Sequence, residues 1–225
     1  MINKLPKWVE IGGFFLTLNA GFINAIGLLG FKHQAVSHLT GTSTFLSLEI
    51  ANDNTQEITH LLIVIASFVA GAAFSGLVIG NTALKLGRRY SLALMTESLL
   101  LFVSMYLLNH GSQAGHFFAS AACGLQNAMT STYSGAVIRT THVSGLFTDL
   151  GVALGLRFRG QQADKRKIIL YLTLIVGFIA GGVVGSLLFS RFQFSALLAP
   201  SIMAAAIAAS YWIYWHQRIK VKKDS

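Results

Sequence analysis

Two polar phrases interrupt an otherwise apolar chain. GFINAIGLLGFKHQAVSHLTGTST occupies residues 21–44, and GLQNAMTSTYSGAVIRTTHVSGLFT occupies residues 124–148. Each opens with Gly-x-x-Asn-Ala and arrives, some fourteen residues later, at His-x-(Thr/Ser)-Gly and a further Thr. Histidine can gain or lose a proton near neutral pH and can hydrogen-bond an anion or a neutral polar solute. The glycine after Thr40 or Ser144 lets the backbone turn and present its N–H groups. A half-helix starting there would aim its positive end at a negative charge. Asn24 and Asn127 are carboxamides that either bind solute or tie their helix to the segment that follows. The expected substrate-binding set is therefore Asn24, His38, Thr40, Gly41 and Thr44 with Asn127, His142, Ser144, Gly145 and Thr148. The alternative is structural, each His capping its own helix and each Asn locking the bundle.

Three charged residues are candidates for ion or proton coupling. Glu97 lies inside an apolar block, where a carboxylate is costly enough to suggest a function. Arg139 stands three residues before His142, either facing a cavity as an anion attractor or anchoring the helix at the interface. Asp149 follows Thr148 and could pair with Arg139 or bind a coupling cation. Enzyme chemistry finds little support. Seven histidines include no His-Glu-x-x-His pattern, no Gly-x-Ser-x-Gly elbow organises a serine, and no Gly-rich loop carries a Walker lysine. The single cysteine, Cys123, excludes an intrachain disulfide or a Cys-x-x-Cys site. No metal or cofactor is expected.

The elements that must hold these residues are membrane helices. Charged residues make up 11% of the 225-residue chain, less than half of the roughly 25% usual in soluble domains, and mean hydropathy is +0.60. Apolar blocks at about 11–31, 59–81, 90–108, 116–138, 168–190 and 195–215 reach bilayer-spanning length. The first is too long for a signal core and is read as an uncleaved helix. With the N-terminus cytoplasmic, 15 of the 17 basic residues fall on the cytoplasmic side, Lys32 and Arg191 being the others. The net charge of +9 thus reads as topology and as attraction to anionic lipid head groups. Nucleic-acid binding is not expected, because the basic residues are scattered over separate loops and termini. The polar stretches 36–51 and 142–156 are too short to cross, and a crossing would invert the charge pattern. Each is read as a re-entrant or half-length helix covered by protein or facing a water-filled cavity.

The duplication extends along the chain. SFVAGAAFSGL at 67–77 aligns with GFIAGGVVGSL at 177–187, and ALMTES at 93–98 with ALLAPS at 196–201. The offsets are 103 or 104 at the Asn and His motifs, 110 in the middle helix and 103 at the end. The small-residue ladders Gly71, Ser75, Gly177, Gly181 and Gly185 are read as packing devices. Three spans per half place the halves in opposite orientations, an arrangement that recurs in secondary transporters with binding groups near the midplane. The expected fold is an all-α polytopic membrane protein. It is a single domain over 1–225, with six transmembrane helices in two inverted three-helix repeats, about 8–110 and 114–216, each carrying a polar re-entrant segment.

The phrases GFINAIGLL with SHLTGTST, and GLQNA with TTHVSGLFTDLG, resemble the YoaK-like family of bacterial inner-membrane proteins, a domain family of unknown function. The resemblance covers nearly the whole chain. Relatives often carry Asp at the position of Asn24 and Asn at that of Thr42. It implies a multi-pass protein of the bacterial inner membrane with six helices, and no substrate. The residues themselves point to a small permease or channel for a small polar solute, anions included, with N- and C-termini cytoplasmic and a homodimer as a further expectation. The competing reading is a non-transporting membrane scaffold or sensor.

Overall fold

The computed structural model describes residues 7–30, 36–80, 88–135, 138–161 and 164–223. Lys4, Lys32, His33, Ala35 and Lys85 lie outside the described residues. The described chain folds into eight α-helices joined by turns and one 3-10 turn. They are α1 (Lys7–Gly30), α2 (Leu39–Ala51), α3 (Thr55–Ile79), α4 (Arg88–Asn109), α5 (Ala114–Ser134), α6 (Val143–Phe158), α7 (Lys165–Phe192) and α8 (Leu198–Lys223). The 3-10 turn, Gln193–Leu197, joins the last two.

Four helical stretches are long and apolar enough to cross a membrane: Trp8–Gly30, Thr55–Ile79, Arg88–Asn109 and Lys165–Ile213. The last contains both α7 and α8. Their outward faces are greasy, with Leu62, Val69 and Leu77 on α3 and Ile169, Val176 and Val183 on α7 all exposed. Such a surface fits lipid. Helix α5 is long but is not among the four stretches, because it carries Ser, Thr, His, Gln and Asn along much of its length. Packing against α3 and α4 explains how it tolerates them: 13 of its 21 residues are buried. The 13 residues of α2 and 16 of α6 reach only about 20 and 24 Å at 1.5 Å per residue, short of a hydrocarbon core about 30 Å thick.

Local signals set the helix ends. Asn54 accepts a hydrogen bond from the Glu57 N–H at the start of α3, and Asp164 accepts one from the Arg166 N–H at the start of α7. Gly135 ends α5 in the left-handed conformation, three residues before the end expected from hydropathy. At the α1/α7 end, Arg166 forms an ion pair of 2.7 Å with Glu10.

The two broadest helix contacts are α1 on α7 and α3 on α5. Each is a main-chain crossing with no room for a Cβ. A methyl on Gly21 would collide with the Phe178 carbonyl, and one on Gly124 with the Phe68 carbonyl. One on Gly181 would meet the Leu18 carbonyl, and one on Gly71 the Ala121 carbonyl. These contacts recur at the offsets of the aligned sequence: Gly21 and Leu18 correspond to Gly124 and Ala121, and Phe68 and Gly71 to Phe178 and Gly181. The ladders are packing devices, as expected. Helices α4 and α8 meet through Ser98 and Ser201, themselves aligned positions, whose hydroxyls lie 3.1 Å apart. The Ser201 hydroxyl also donates to the Ser98 carbonyl at 2.9 Å.

Gly21→Ala and Gly124→Ala are each expected to lower stability by about 1–3 kcal/mol, since neither can expand without moving backbone. Gly76→Ala, with open space where its methyl would go, should be neutral or stabilising by up to about 1 kcal/mol. Thermal unfolding of the detergent-solubilised variants checks the contrast.

Candidate functional site

A cavity of about 640 Å³ lies where the two polar phrases meet. Asn24 and Leu28 of α1 line it together with Asn127 and Ser131 of α5. Ser37, His38 and Thr40 line it from the first phrase, and Thr141, His142 and Ser144 from the second. Phe68 of α3 and Phe178 of α7 complete the matched pairs. Arg139 also lines the cavity, and among the described residues no Asp or Glu does.

The Gly-x-x-Asn spacing builds this wall. Gly21 and Gly124 sit at the main-chain crossings with Phe178 and Phe68, which brings both Phe residues to the cavity edge. Three residues on is nearly one helical turn, so Asn24 and Asn127 project close beside the crossing. The two asparagines are not used alike. Asn24 Oδ1 accepts a hydrogen bond of 2.8 Å from the Ser37 hydroxyl, tying α1 to the segment that leads into α2. Asn127 Oδ1 is buried without a hydrogen-bond partner. The incoming segment is also held at Val36, whose carbonyl lies 3.2 Å from the buried Ser120 hydroxyl of α5.

His38 and His142 are the N-cap residues of α2 and α6, with nearly the same backbone angles, and neither side chain makes a capping hydrogen bond. The structural alternative in which each His caps its own helix is therefore not what the geometry shows. Both rings are exposed at the cavity and fold over the first turn, where Gly41 and Gly145 leave them room. A Cβ on Gly41 would come within 2.6 Å of His38 Cδ2, and one on Gly145 would collide with the His142 ring. Both helices thus present their N-terminal ends at one cavity, with the imidazoles swung aside. Their positive ends favour negative charge there.

The remaining expected residues fall outside this cavity. Thr44 and Thr148 donate to the carbonyls of Thr40 and Ser144, each at 3.0 Å, inside their own helices. Thr148 and Asp149 line a second cavity of about 480 Å³ that shares Arg139, His142 and Ser144 with the first. Glu97 lines neither. It is completely buried where α1, α4 and α5 meet, accepting a hydrogen bond of 2.9 Å on Oε1 from Asn19 Nδ2. Asn19 Nδ2 also reaches Gln126 Oε1 at 3.3 Å, and Gln126 Nε2 donates to the Leu16 carbonyl at 2.7 Å. The sequence reading missed Asn19, which lies outside the repeated phrases, and Gln126, which lies inside the second phrase but where the first has Ile23. Their signal was a carboxamide in an apolar block, Asn19 by itself and Gln126 beside Asn127.

The chain belongs to the family described as "Protein of unknown function (DUF1275)", which it matches over residues 12–210. This agrees with the resemblance carried by its two polar phrases. No curated protein and no solved structure matches it.

The cavity gives a direct chemical expectation. Cys123 is buried, so Cys123→Ala makes a clean background. In it, Thr40→Cys and Ser144→Cys should react readily with a small charged methanethiosulfonate reagent. Wild-type protein carrying only Cys123 should remain unlabelled on the same timescale, as read by mass spectrometry.

Proposed function

We propose that this DUF1275 protein is a small permease or channel for a small anion, with the paired cavity as its binding site. The observation that carries this reading is the cavity's charge. Two helix N-termini, two imidazoles and Arg139 converge on a space that no carboxylate of the described residues lines. On this reading the ligand's oxygens would take N–H groups from the first turns of α2 and α6, and the imidazoles and carboxamides would complete its shell.

The magnitudes favour passage over storage. A helix N-terminus contributes about 0.3–1 kcal/mol to an anion in an exposed site. Two such ends and one Arg supply a few kcal/mol, which corresponds to binding no tighter than about 1 mM. A conducting site needs binding that is favourable enough to admit the solute and weak enough to release it.

The same reading gives the chain six membrane passes, α1, α3, α4, α5, α7 and α8, as two inverted three-helix repeats. The paired glycine crossings and the matched cavity lining support it, as does the length of α2 and α6. The family resemblance supports a bacterial inner membrane, and the charge bias supports cytoplasmic termini with basic loops facing anionic head groups. Nothing in this mechanism calls for a catalytic group or a cofactor. A second reading, a scaffold or sensor without transport, draws on the Asn24–Ser37 hydrogen bond, which locks a helix to its neighbouring segment.

Reconstitution separates the two. Vesicles containing the protein are expected to conduct formate or nitrate above the level of empty vesicles, and urea or glycerol no better than empty vesicles. Arg139→Gln and His142→Ala should each lower anion flux about five- to tenfold, the equivalent of roughly 1–1.4 kcal/mol. Wild-type flux equal to that of empty vesicles for every solute would leave the scaffold reading standing.

A further inference from the structure

We propose that Glu97, held by Asn19, which Gln126 holds in turn, is a single-proton site that couples the cavity to a proton gradient. The inference deepens the permease reading and rests on it for the coupling; the proton site itself rests on the geometry alone.

The cluster is buried, and two of its oxygens lack a donor. Asn19 and Glu97 are fully buried and Gln126 is 1% exposed. Both amide hydrogens of Asn19 have acceptors, on Glu97 Oε1 and Gln126 Oε1. Two oxygens are left over, Asn19 Oδ1 and Glu97 Oε2, and neither has a hydrogen-bond partner. A buried acceptor without a donor is costly, and two in one cluster more so. One added proton answers both needs: on Glu97 Oε2 it removes the buried charge and gives the cluster a donor where it has only acceptors. Metal cations fit less well. Hard cations of the calcium and magnesium type take six or more oxygens, and here two are free.

Packing does not require these polar residues. The positions aligned with Glu97, Asn19 and Gln126 are Pro200, Ala122 and Ile23. All three are buried. The chain therefore fills the equivalent location with apolar side chains, and spends polar groups on one side only. Structural locking alone gives no reason for the difference. A site that must change charge does.

The cluster is placed to influence the cavity. Gln126 adjoins the cavity-lining Asn127 on α5, and Asn19 lies five residues before Asn24 on α1. Gain or loss of the proton would remake the contacts joining these two walls to α4. The ionisable groups around Glu97 are few. Cys123 of α5 is near enough to interact with its charge. His116 stands ten residues from Gln126 along α5, and Glu10 nine from Asn19 along α1, each well over 10 Å away at 1.5 Å per residue. On α3, Glu57 and His60 belong to its first two turns, and neither the 3-10 turn nor Leu198–Ser210 of α8 has a titratable side chain. The proton is exchanged with water, and its partner base is the Glu97 carboxylate; no other reactant is needed.

Infrared difference spectroscopy of the full-length protein in lipid vesicles, followed against pH, tests the site without any transport assay. The expected result is a protonated-carboxyl band that changes amplitude with pH, moves on exchange into D₂O, and is missing from Glu97→Gln. Asn19→Leu should retain the band but shift its frequency, because the acceptor for the proton is gone. Identical pH-difference spectra for wild type and Glu97→Gln would overturn the proposal, as would a Glu97 band that never changes with pH. If Glu97→Gln fails to fold, the D₂O-sensitive frequency shift in Asn19→Leu decides alone. In formate-loaded vesicles, an imposed proton gradient should accelerate wild-type flux and leave Glu97→Gln flux unchanged. A titrating Glu97 band in a protein that conducts no anion would uphold the proton site and sink the permease reading.

Discussion

At two crossings in this bundle, one helix lays a carbonyl where a neighbouring helix has no Cβ. Gly21 under Phe178 and Gly124 under Phe68 set the approach of α1 to α7 and of α5 to α3. Lipid offers little hydrophobic drive for one apolar helix to join another, so close packing of small residues must hold them. The consequences run outward from there. The crossings bring Phe68 and Phe178 to the cavity, the asparagines follow one turn later, and Ser37 then fixes the chain entering α2 through Asn24. A bulkier residue at either glycine would widen the crossing and displace the cavity wall with it.

The same economy explains where polarity is allowed. The bilayer core supplies no hydrogen-bond partners, so a polar side chain survives there only against protein or a wet cavity. Helix α5 uses both: Gln126 and Ser120 bond to main-chain carbonyls of other elements, while Asn127 and Ser131 face the cavity. Helices α3 and α7 have no such shelter over much of their surface and carry apolar residues instead. Hydropathy thus ranks α5 below its neighbours for a physical reason, that its surroundings are more protein than lipid.

The cavity was legible in the sequence to the extent that it was written twice. The asparagines, the histidines and Thr40 with Ser144 line it because equivalent positions in duplicated segments occupy equivalent environments. Thr44 and Thr148 carried the same pattern and yet bond to their own helices, a distinction that spacing alone does not encode. The Asn19–Glu97–Gln126 cluster was half visible. Glu97 stood out as a carboxylate in an apolar block, but its partners come from α1 and α5, 78 residues away in one case. Repetition could not reveal them, since their counterparts are apolar. Most helix ends were read within about four residues; α8 runs on past the apolar block to Lys223, and α5 stops short of it at Gly135, a left-handed glycine.

On the proposed inverted repeat, a cavity lined by matched pairs would treat two approaches nearly alike. For a permease built in this way, direction and coupling have to come from whatever breaks the match. Three features do so. Arg139 aligns with Ala35 and Asp149 with Phe45, and both charges lie on the side of α6. The third is the buried cluster, with Pro200, Ala122 and Ile23 as its apolar equivalents. Helix α4 also packs broadly on α5, while α8 touches α1 far less. The buried cluster therefore sits where the two halves already differ in packing, at the joint of α1, α4 and α5. On the permease proposal, a change of charge at that joint would act on one half more than on the other, which is the physical requirement for turning a symmetric opening into a one-sided one.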